Sequence, residues 1–521
     1  MGFTLARTGS AAQKPGPPRT RVQRLFIRVG IGALSLAALT VLFYGEENWR
    51  GRHAWSRYHE AAARRVDFKW QSLAPPPIAD QDNFAATPFL AALFDLIPGT
   101  HTPRDLPAYN RVAGFAQGNE PYLEARHPER TLLTVVPGER TDLAPALQKL
   151  RQLNRRPGAP VAAEAPPTDH RAQAVAVLDG LQQFGPVIEE LRAASKRPSV
   201  RFDLNYNEET PWRVPEPHLP VLKRVCMVLG LRALAELALD NTHAAADDAY
   251  LLLAIANSLA SEPLQNSYWT RLELLAIARQ VLWEGLADHR WSDRQLRDFQ
   301  DDLAGLDLPR DVSKPLLLDR AHGEYLFNLI RKQPAAVSGW QFGPGLGNWL
   351  LPRVLRWMPR GWMDRERLTY HRRFDDDILA GLDAAAGRVR PQLIDRAVDR
   401  AHPLWHHSLL TSRVLGTPAE SIFAAALAQT RSNQARVACA LERYRLQQNQ
   451  LPPKLENLVP DYLPSLPNDL LTGTPLKYRL TADGSFLLYS VGWNRHDDDG
   501  KIVLNKGKEL ESRQGDWVWP R

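Results

Sequence analysis

Two cysteines and four methionines among 521 residues leave this chain little sulfur chemistry. Cys226 and Cys439 each sit inside an apolar helical pattern, where a thiol packs as a small hydrophobe. A disulfide between them requires an oxidising compartment, and their wide separation in sequence says nothing about proximity. Neither has metal-ligand spacing. Also missing are a Gly-x-Ser-x-Gly elbow, a phosphate-binding Gly-Lys loop, a His-Glu-x-x-His helix and a Cys-x-x-Cys pair, so no common hydrolase, nucleotide or zinc signature points to a chemistry. Charged residues at 24% and hydrophobic residues at 44% are ordinary globular values, which excludes a disordered chain and a multi-span membrane protein. No acidic residue precedes Glu46.

That last absence gives the net charge of +7 its meaning. Arg7, Lys14, Arg19, Arg21, Arg24 and Arg28 crowd the N-terminus and leave the remaining body nearly neutral. Nucleic-acid binding needs a basic patch on the folded domain itself, so no nucleic-acid partner is expected. Val29 to Tyr44 is uncharged and apolar, and Leu25 to Ile27 extend it if Arg28 snorkels. About 20 such residues suffice to cross ~30 Å of hydrocarbon. Basic residues on one flank only place the N-terminus in the cytoplasm and the body outside, with Tyr44 and Trp49 as an aromatic belt. The run ends in Phe43-Tyr44-Gly45-Glu46-Glu47, without the small-residue site of a cleaved signal. A membrane anchor is therefore expected, ahead of a cleaved signal or a buried core helix.

Beyond the anchor the chain divides into recognisable stretches. A basic cytoplasmic tail (1–24) and the transmembrane helix (25–44) precede a stalk and Pro-rich linker (45–78), in which Pro75-Pro-Pro77 stops a polar helix. A mixed helix and loop region (79–218) contains an Ala/Pro-rich excursion at 156–168. A helical array follows (219–420). Leu222, Val225, Cys226, Leu229, Ala233 and Leu237 mark one helix face, Asp240-Asn241-Thr242 breaks it, and Leu252, Ile255 and Leu259 resume it. This hairpin is similar to a tetratricopeptide unit, without its strict 34-residue period. Ser292-Asp-Arg-Gln295 has capping-box form.

Within the array, Gly343-Pro-Gly-Leu-Gly347 reads as a turn, and Trp340, Trp349, Trp357 and Trp362 crowd residues 334–363. Exposed, these indoles make an interaction surface or a second membrane contact; buried, they are core. His402 and His406 have the i, i+4 spacing of helix-borne metal ligands, although Pro403 makes His402 a natural helix cap. Asp375-Asp-Asp377 beside Arg372-Arg373 reads as a charge-paired exposed face.

The last module (421–521) begins with a helix reaching Gln448, then a short Leu455/Leu458 helical face, then strands at Leu476–Leu480 and Phe486–Val491 around the hairpin signal Asp483-Gly484. Leu466-Pro-Asn-Asp469, Thr472-Gly-Thr-Pro-Leu-Lys-Tyr478, Leu488-Tyr-Ser-Val-Gly492 and the acidic Asp497-Asp-Asp-Gly500 occur in the order of motifs found in the head of type II secretion major pseudopilins, which this module resembles. The resemblance covers about a hundred of the 521 residues. It implies a calcium loop, for which Asn494, Asp497, Asp498 and Asp499 carry side-chain oxygens; the alternative is a solvated acidic turn. Gly2-Phe3-Thr4-Leu5 resembles a prepilin cleavage site, but Arg7 occupies the place of the prepilin glutamate and a Pro/Arg-rich segment follows, so polymerisation into a pilus is not implied. The architecture is also similar to bacterial membrane-anchored envelope proteins that end in such a module.

The expected fold is mainly α: an N-terminal transmembrane helix, an irregular helical-hairpin array and a small α+β C-terminal module with an antiparallel sheet. The expected role is that of a single-pass protein of a bacterial inner membrane with a periplasmic body, a scaffold or accessory factor whose partners are the membrane and envelope proteins. An envelope hydrolase acting on cell-wall or polysaccharide substrate, or a calcium-binding secretion component, stands as the alternative.

Overall fold

The computed structural model describes residues 21–62, 70–97, 99–100, 102–115, 132–153, 167–208, 213–333, 353–398, 410–504 and 510–520. Its helices of eight or more residues are α1 (Arg21–Ala62), α2 (Leu106–Phe115), α3 (Leu143–Leu153), α4 (His170–Leu181), α5 (Gly185–Ala194), α6 (His218–Ala238), α7 (Thr242–Ser258), α8 (Gln265–Ala287), α9 (Asp293–Ala304), α10 (Ser313–Lys332), α11 (Arg360–Arg373), α12 (Pro391–Val398) and α13 (Gly416–Gln448). The described residues also hold seven short strands, β1 (Leu382–Asp383), β2 (Arg388–Val389), β3 (Lys477–Leu480), β4 (Phe486–Ser490), β5 (Ile502–Leu504), β6 (Leu510–Gly515) and β7 (Trp517–Val518). The chain is mainly α, as its periodicity predicts. The prepilin-like Gly2–Leu5, most of the 156–168 excursion, Trp340, Trp349, Gly343–Gly347, His402 and His406 lie outside the described residues.

The apolar run and the polar stalk form one helix. At 42 residues, α1 is about 63 Å long at 1.5 Å per residue. It is long and apolar enough to cross a membrane, and none of its apolar window is buried in protein. Phe26 and Leu34 are 72% and 73% exposed, an arrangement that water opposes and lipid satisfies.

Two compact units make up the chain, one of Met1–Ala61 with Leu329–Leu368, the other of Ala62–Asn328 with Thr369–Arg521. In the first, α1 and the start of α11 touch backbone to backbone. A Cβ added to Gly51 would sit 2.1 Å from the Gly361 carbonyl oxygen, and one added to Gly361 would sit 2.0 Å from that of Glu47. Polar contacts bracket this crossing. The Gly361 amide donates to Asn48 Oδ1 at 2.9 Å, Trp362 Nε1 donates to Glu47 Oε2 at 2.9 Å, and Arg365 lies 3.4 Å from the same oxygen. Farther along, the Arg367 guanidinium lies over the Trp55 ring at 4.1 Å. The stalk predicted between the anchor and the Pro-rich linker is thus helical as far as Ala62 and packed against α11 as far as Trp55.

In the second unit, α6 and α7 form the predicted hairpin, with α4 and α8 packed on α6 and α9 on α7. Apolar side chains ring both helices, so each is buried on several faces. The fully buried carboxylate of Asp248 ties three helices: Arg232 Nε of α6 donates to it at 2.5 Å and Arg192 Nη2 of α5 at 2.8 Å. Ser292 and Gln295 make both bonds of the predicted capping box at the head of α9. Cys226 and Cys439 are buried and free.

Helix α13 runs through this unit with two neighbours of opposite sense. Contacts Gln265–Ser421, Arg279–Ser432 and His289–Glu442 advance together along α8 and α13, which are therefore parallel. Asp293–Arg443, Gln300–Arg436 and Leu308–Gln429 run in opposite order, so the α9 side is antiparallel. Beyond α13 the chain forms an antiparallel sheet of order β3-β4-β7 and a separate β5-β6 pair. Leu480 faces Phe486 across the predicted hairpin, whose turn Gly484 closes with φ near +80°.

Replacing Gly51 with Leu is expected to lower the melting temperature of the purified full-length chain by a clear margin, since overpacking typically costs about 1–3 kcal/mol and here the obstacle is backbone. Gly45→Leu, at a position with open space around its Cα, is the control and leaves the melt unchanged.

Candidate functional site

Because α8 and α13 are parallel, their C-termini end side by side, and the hollow they leave is roofed by the β3-β4 hairpin. The cleft measures about 570 Å³, within the usual range for ligand pockets. Its floor is built from helix-terminating residues. Asn449 caps α13 with φ near +55°, its amide donating to Arg445 O at 2.8 Å, and His289 just beyond α8 also has positive φ, near +52°. These left-handed residues turn the backbone sharply and leave His289, Asn449 and Gln450 on the cleft wall.

Its charges come in neutralised sets. Glu442 is buried and accepts two bonds from Arg445, Nη2 to Oε1 at 2.7 Å and Nε to Oε2 at 2.8 Å, while His289 Nδ1 lies 3.0 Å from Oε1. Arg140 pairs with Asp288 at 2.7 Å. On the hairpin side, Asp483 accepts the Ser485 amide at 3.2 Å and the Thr481 hydroxyl. Trp283, Phe486 and Trp519 line the remainder, and Trp283 Nε1 donates to the Pro520 carbonyl at 3.2 Å. Such a surface offers aromatic edges, amides and ion pairs, a composition suited to recognition.

No protein-family model, curated protein or solved structure matches this chain.

The acidic loop, for which the sequence leaves open a calcium site or a solvated turn, lies elsewhere in the same unit, and its side chains engage nearby protein groups. Asp497 accepts the Tyr489 hydroxyl at 3.0 Å and faces Lys477 at 3.6 Å. Asp498 takes Asn494 Nδ2 at 3.2 Å and His496 Nδ1 at 3.0 Å, and Asp499 faces Arg479 at 3.4 Å. Asp516, which carries no motif in the sequence, closes the loop: its buried carboxylate accepts the amides of Asp498 at 3.3 Å and Gly500 at 2.6 Å. Among the described residues, no group of three or more His, Cys, Asp or Glu is arranged to hold a metal ion.

A second charged cluster joins α10 to the end of α11. Buried His371 has Nε2 at 3.2 Å from Glu324 Oε2 and Nδ1 at 3.5 Å from Arg320 Nε; Arg320 Nη2 reaches Asp375 at 2.9 Å. Burial pushes the His371 pKa down, against the opposing pull of Glu324. The run Asp375–Asp377 was expected to pair with Arg372 and Arg373 on an exposed face. Instead, a π-helical turn over Phe374–Leu379 redirects it, so that Asp375 meets Arg320 and a buried Asp377 meets Arg396 at 2.8 Å. Asp376 is exposed and Asp375 half-buried. Next to Arg320, Asp319 Oδ2 is buried without a hydrogen-bond partner, and desolvation pushes its carboxyl up to about 8.

Two outcomes follow from these charges. Glu442→Ala strips Arg445 and His289 of their shared acceptor and is expected to destabilise the chain by about 1–3 kcal/mol in urea titrations, Glu442→Gln by less. Asp319 holds its proton more tightly folded than unfolded, so its contribution to stability is complete below the ordinary carboxylate pKa of 3.8 and is lost as pH rises to about 8. Asp319→Asn removes this loss. Its stability relative to the unsubstituted chain therefore rises between pH 4 and pH 8; a difference that does not vary over that interval rules the assignment out.

Proposed function

We propose that the chain is a single-pass membrane-anchored envelope protein whose body binds other envelope proteins as a scaffold or accessory factor. Its N-terminus lies in the cytoplasm of a bacterial inner membrane and its body in the periplasm. The observation that carries this reading is α1, whose apolar window has no protein around it and continues without a break into a helix packed at its polar end. The basic residues Arg21, Arg24 and Arg28 at its start supply the orientation.

The cleft supports binding over catalysis. Glycoside hydrolysis uses two carboxylates, one of them a proton donor, yet Glu442 is held by Arg445 and His289, and Asp483 is spent on its own hairpin turn. The resemblance of the final module to a pseudopilin head, with α13 leading into a small antiparallel sheet, favours secretion or pilus machinery as the source of partners.

Carbonate washing is expected to leave the full-length chain in the membrane fraction; recovery in the soluble fraction overturns the anchor. With a photo-crosslinking residue at Gln450, on the cleft wall, the detergent-solubilised chain is expected to yield adducts with envelope proteins, and the bulky Asn449→Trp substitution to suppress them. Polysaccharide cleavage by the purified chain, lost in Glu442→Gln, would instead establish the hydrolase.

A further inference from the structure

Where the apolar run of α1 ends, a second piece of chain arrives at the same level. The Tyr44 hydroxyl, on the last apolar residue, donates to the Trp357 carbonyl, and the Phe43 ring meets the Trp362 ring edge-on at 6.2 Å. From there α11 climbs α1 away from the apolar run, through Glu47 and Asn48 to Trp55. These contacts set a helical turn over 353–357 beside the boundary between the bare apolar cylinder and the polar half of the same helix.

The side chains of that turn suit the boundary. Leu355 is buried, but Val354 and Trp357, three residues apart and so on one face, are 42% and 74% exposed. Arg356, and Arg360 just after Pro359, are exposed as well. An exposed indole next to an exposed valine is a poor surface for water. Tryptophan concentrates at the membrane-water interface because its ring is apolar and its N–H is polar, and arginines beside it reach lipid phosphates. The partner is set by continuity: the surface flanking an apolar cylinder that itself requires lipid is covered by the same bilayer.

We propose that residues 353–357 form a second membrane contact, a ledge in which Val354 and Trp357 enter the interface of the leaflet where α1 emerges, while Arg356 and Arg360 bind anionic lipid headgroups. The ledge rests on the reading of α1 as a membrane span. It makes the anchor a two-point attachment, since a single helix can swivel about its axis whereas a helix with a lateral foot cannot.

The test uses the full-length chain in lipid nanodiscs, with a nitroxide label at Val354→Cys and, in separate samples, at Leu34→Cys and Asp483→Cys; the buried Cys226 and Cys439 are replaced by alanine throughout. Accessibility to oxygen and to a water-soluble nickel chelate reports depth. The label at 34 is expected in the hydrocarbon, that at 483 in water, and that at 354 at interfacial depth, with nickel accessibility several-fold below that at 483. Trp357→Ser should move the 354 label outward, and Arg356→Glu with Arg360→Glu should abolish the deepening seen when phosphatidylglycerol replaces phosphatidylcholine. Water-like accessibility at 354 with the 34 label in hydrocarbon overturns the ledge and leaves the anchor standing; water-like accessibility at 34 overturns both. Unchanged depth in the Trp357 and arginine variants also overturns the ledge.

Discussion

The polar face of α13 is the constraint on which the second unit depends. Over 33 residues this helix carries buried amides, hydroxyls and charges among its apolar residues, and several of them are matched by other parts of the fold. Gln429 accepts the Leu308 amide, Gln434 donates to the Trp517 carbonyl at 2.5 Å, and Arg443 binds Asp293, Gln300 and the Tyr462 carbonyl. One helix thereby fixes the helical array on one side and the sheet of the last module on the other. Buried polar groups are costly when unmatched, so a shift of α13 by one turn would leave several of them bare at once. Apolar packing alone tolerates such sliding far better.

Much of the architecture was legible because its signals are local. An apolar run of about twenty residues, interrupted only by Arg28, needs no partner in sequence to announce α1. The α6-α7 hairpin shows itself through apolar periodicity interrupted by Asp240-Asn241, and the β3-β4 hairpin through Asp483-Gly484 between strand-forming residues. What escaped depends on residues brought together from afar. Nothing near Gly51 points to Gly361; the one local hint is a glycine inside an otherwise good helix, which costs about 1 kcal/mol relative to alanine and so asks for a packing reason. The cleft joins the ends of two helices, Ala287 and Gln448, that lie far apart in the chain, and Glu442 with Arg445 looks in sequence like any exposed i, i+3 pair. The acidic loop at 494–499 is legible in the sequence, but its partners Lys477 and Arg479 on β3 and Asp516 between β6 and β7 come from other segments and are not. The direction of Asp375–Asp377 was misjudged because a π-helical turn, which no composition rule forecasts, rotates the run relative to α11.

Charge in this protein is mostly structural. Asp248, Asp377, Glu442 and Asp516 are all buried carboxylates, and each holds together segments that the apolar core leaves free to slip. Asp319 is the exception, a buried carboxyl whose Oδ2 has no hydrogen-bond partner and which stays protonated near neutral pH, so that it adds no charge to the cluster around Arg320 and His371.

The parallel run of α8 and α13 carries an electrostatic consequence. Most neighbouring helices in compact folds are antiparallel and their dipoles cancel, whereas here two negative helix ends share one wall, together equivalent to about one elementary negative charge. Arg140 and Arg445 stand beside those ends, but Asp288 and Glu442 already engage them, so the helix ends tilt the cleft toward negative potential. An incoming ligand therefore meets a surface that favours a positively charged or hydrogen-bond-donating group over an anion.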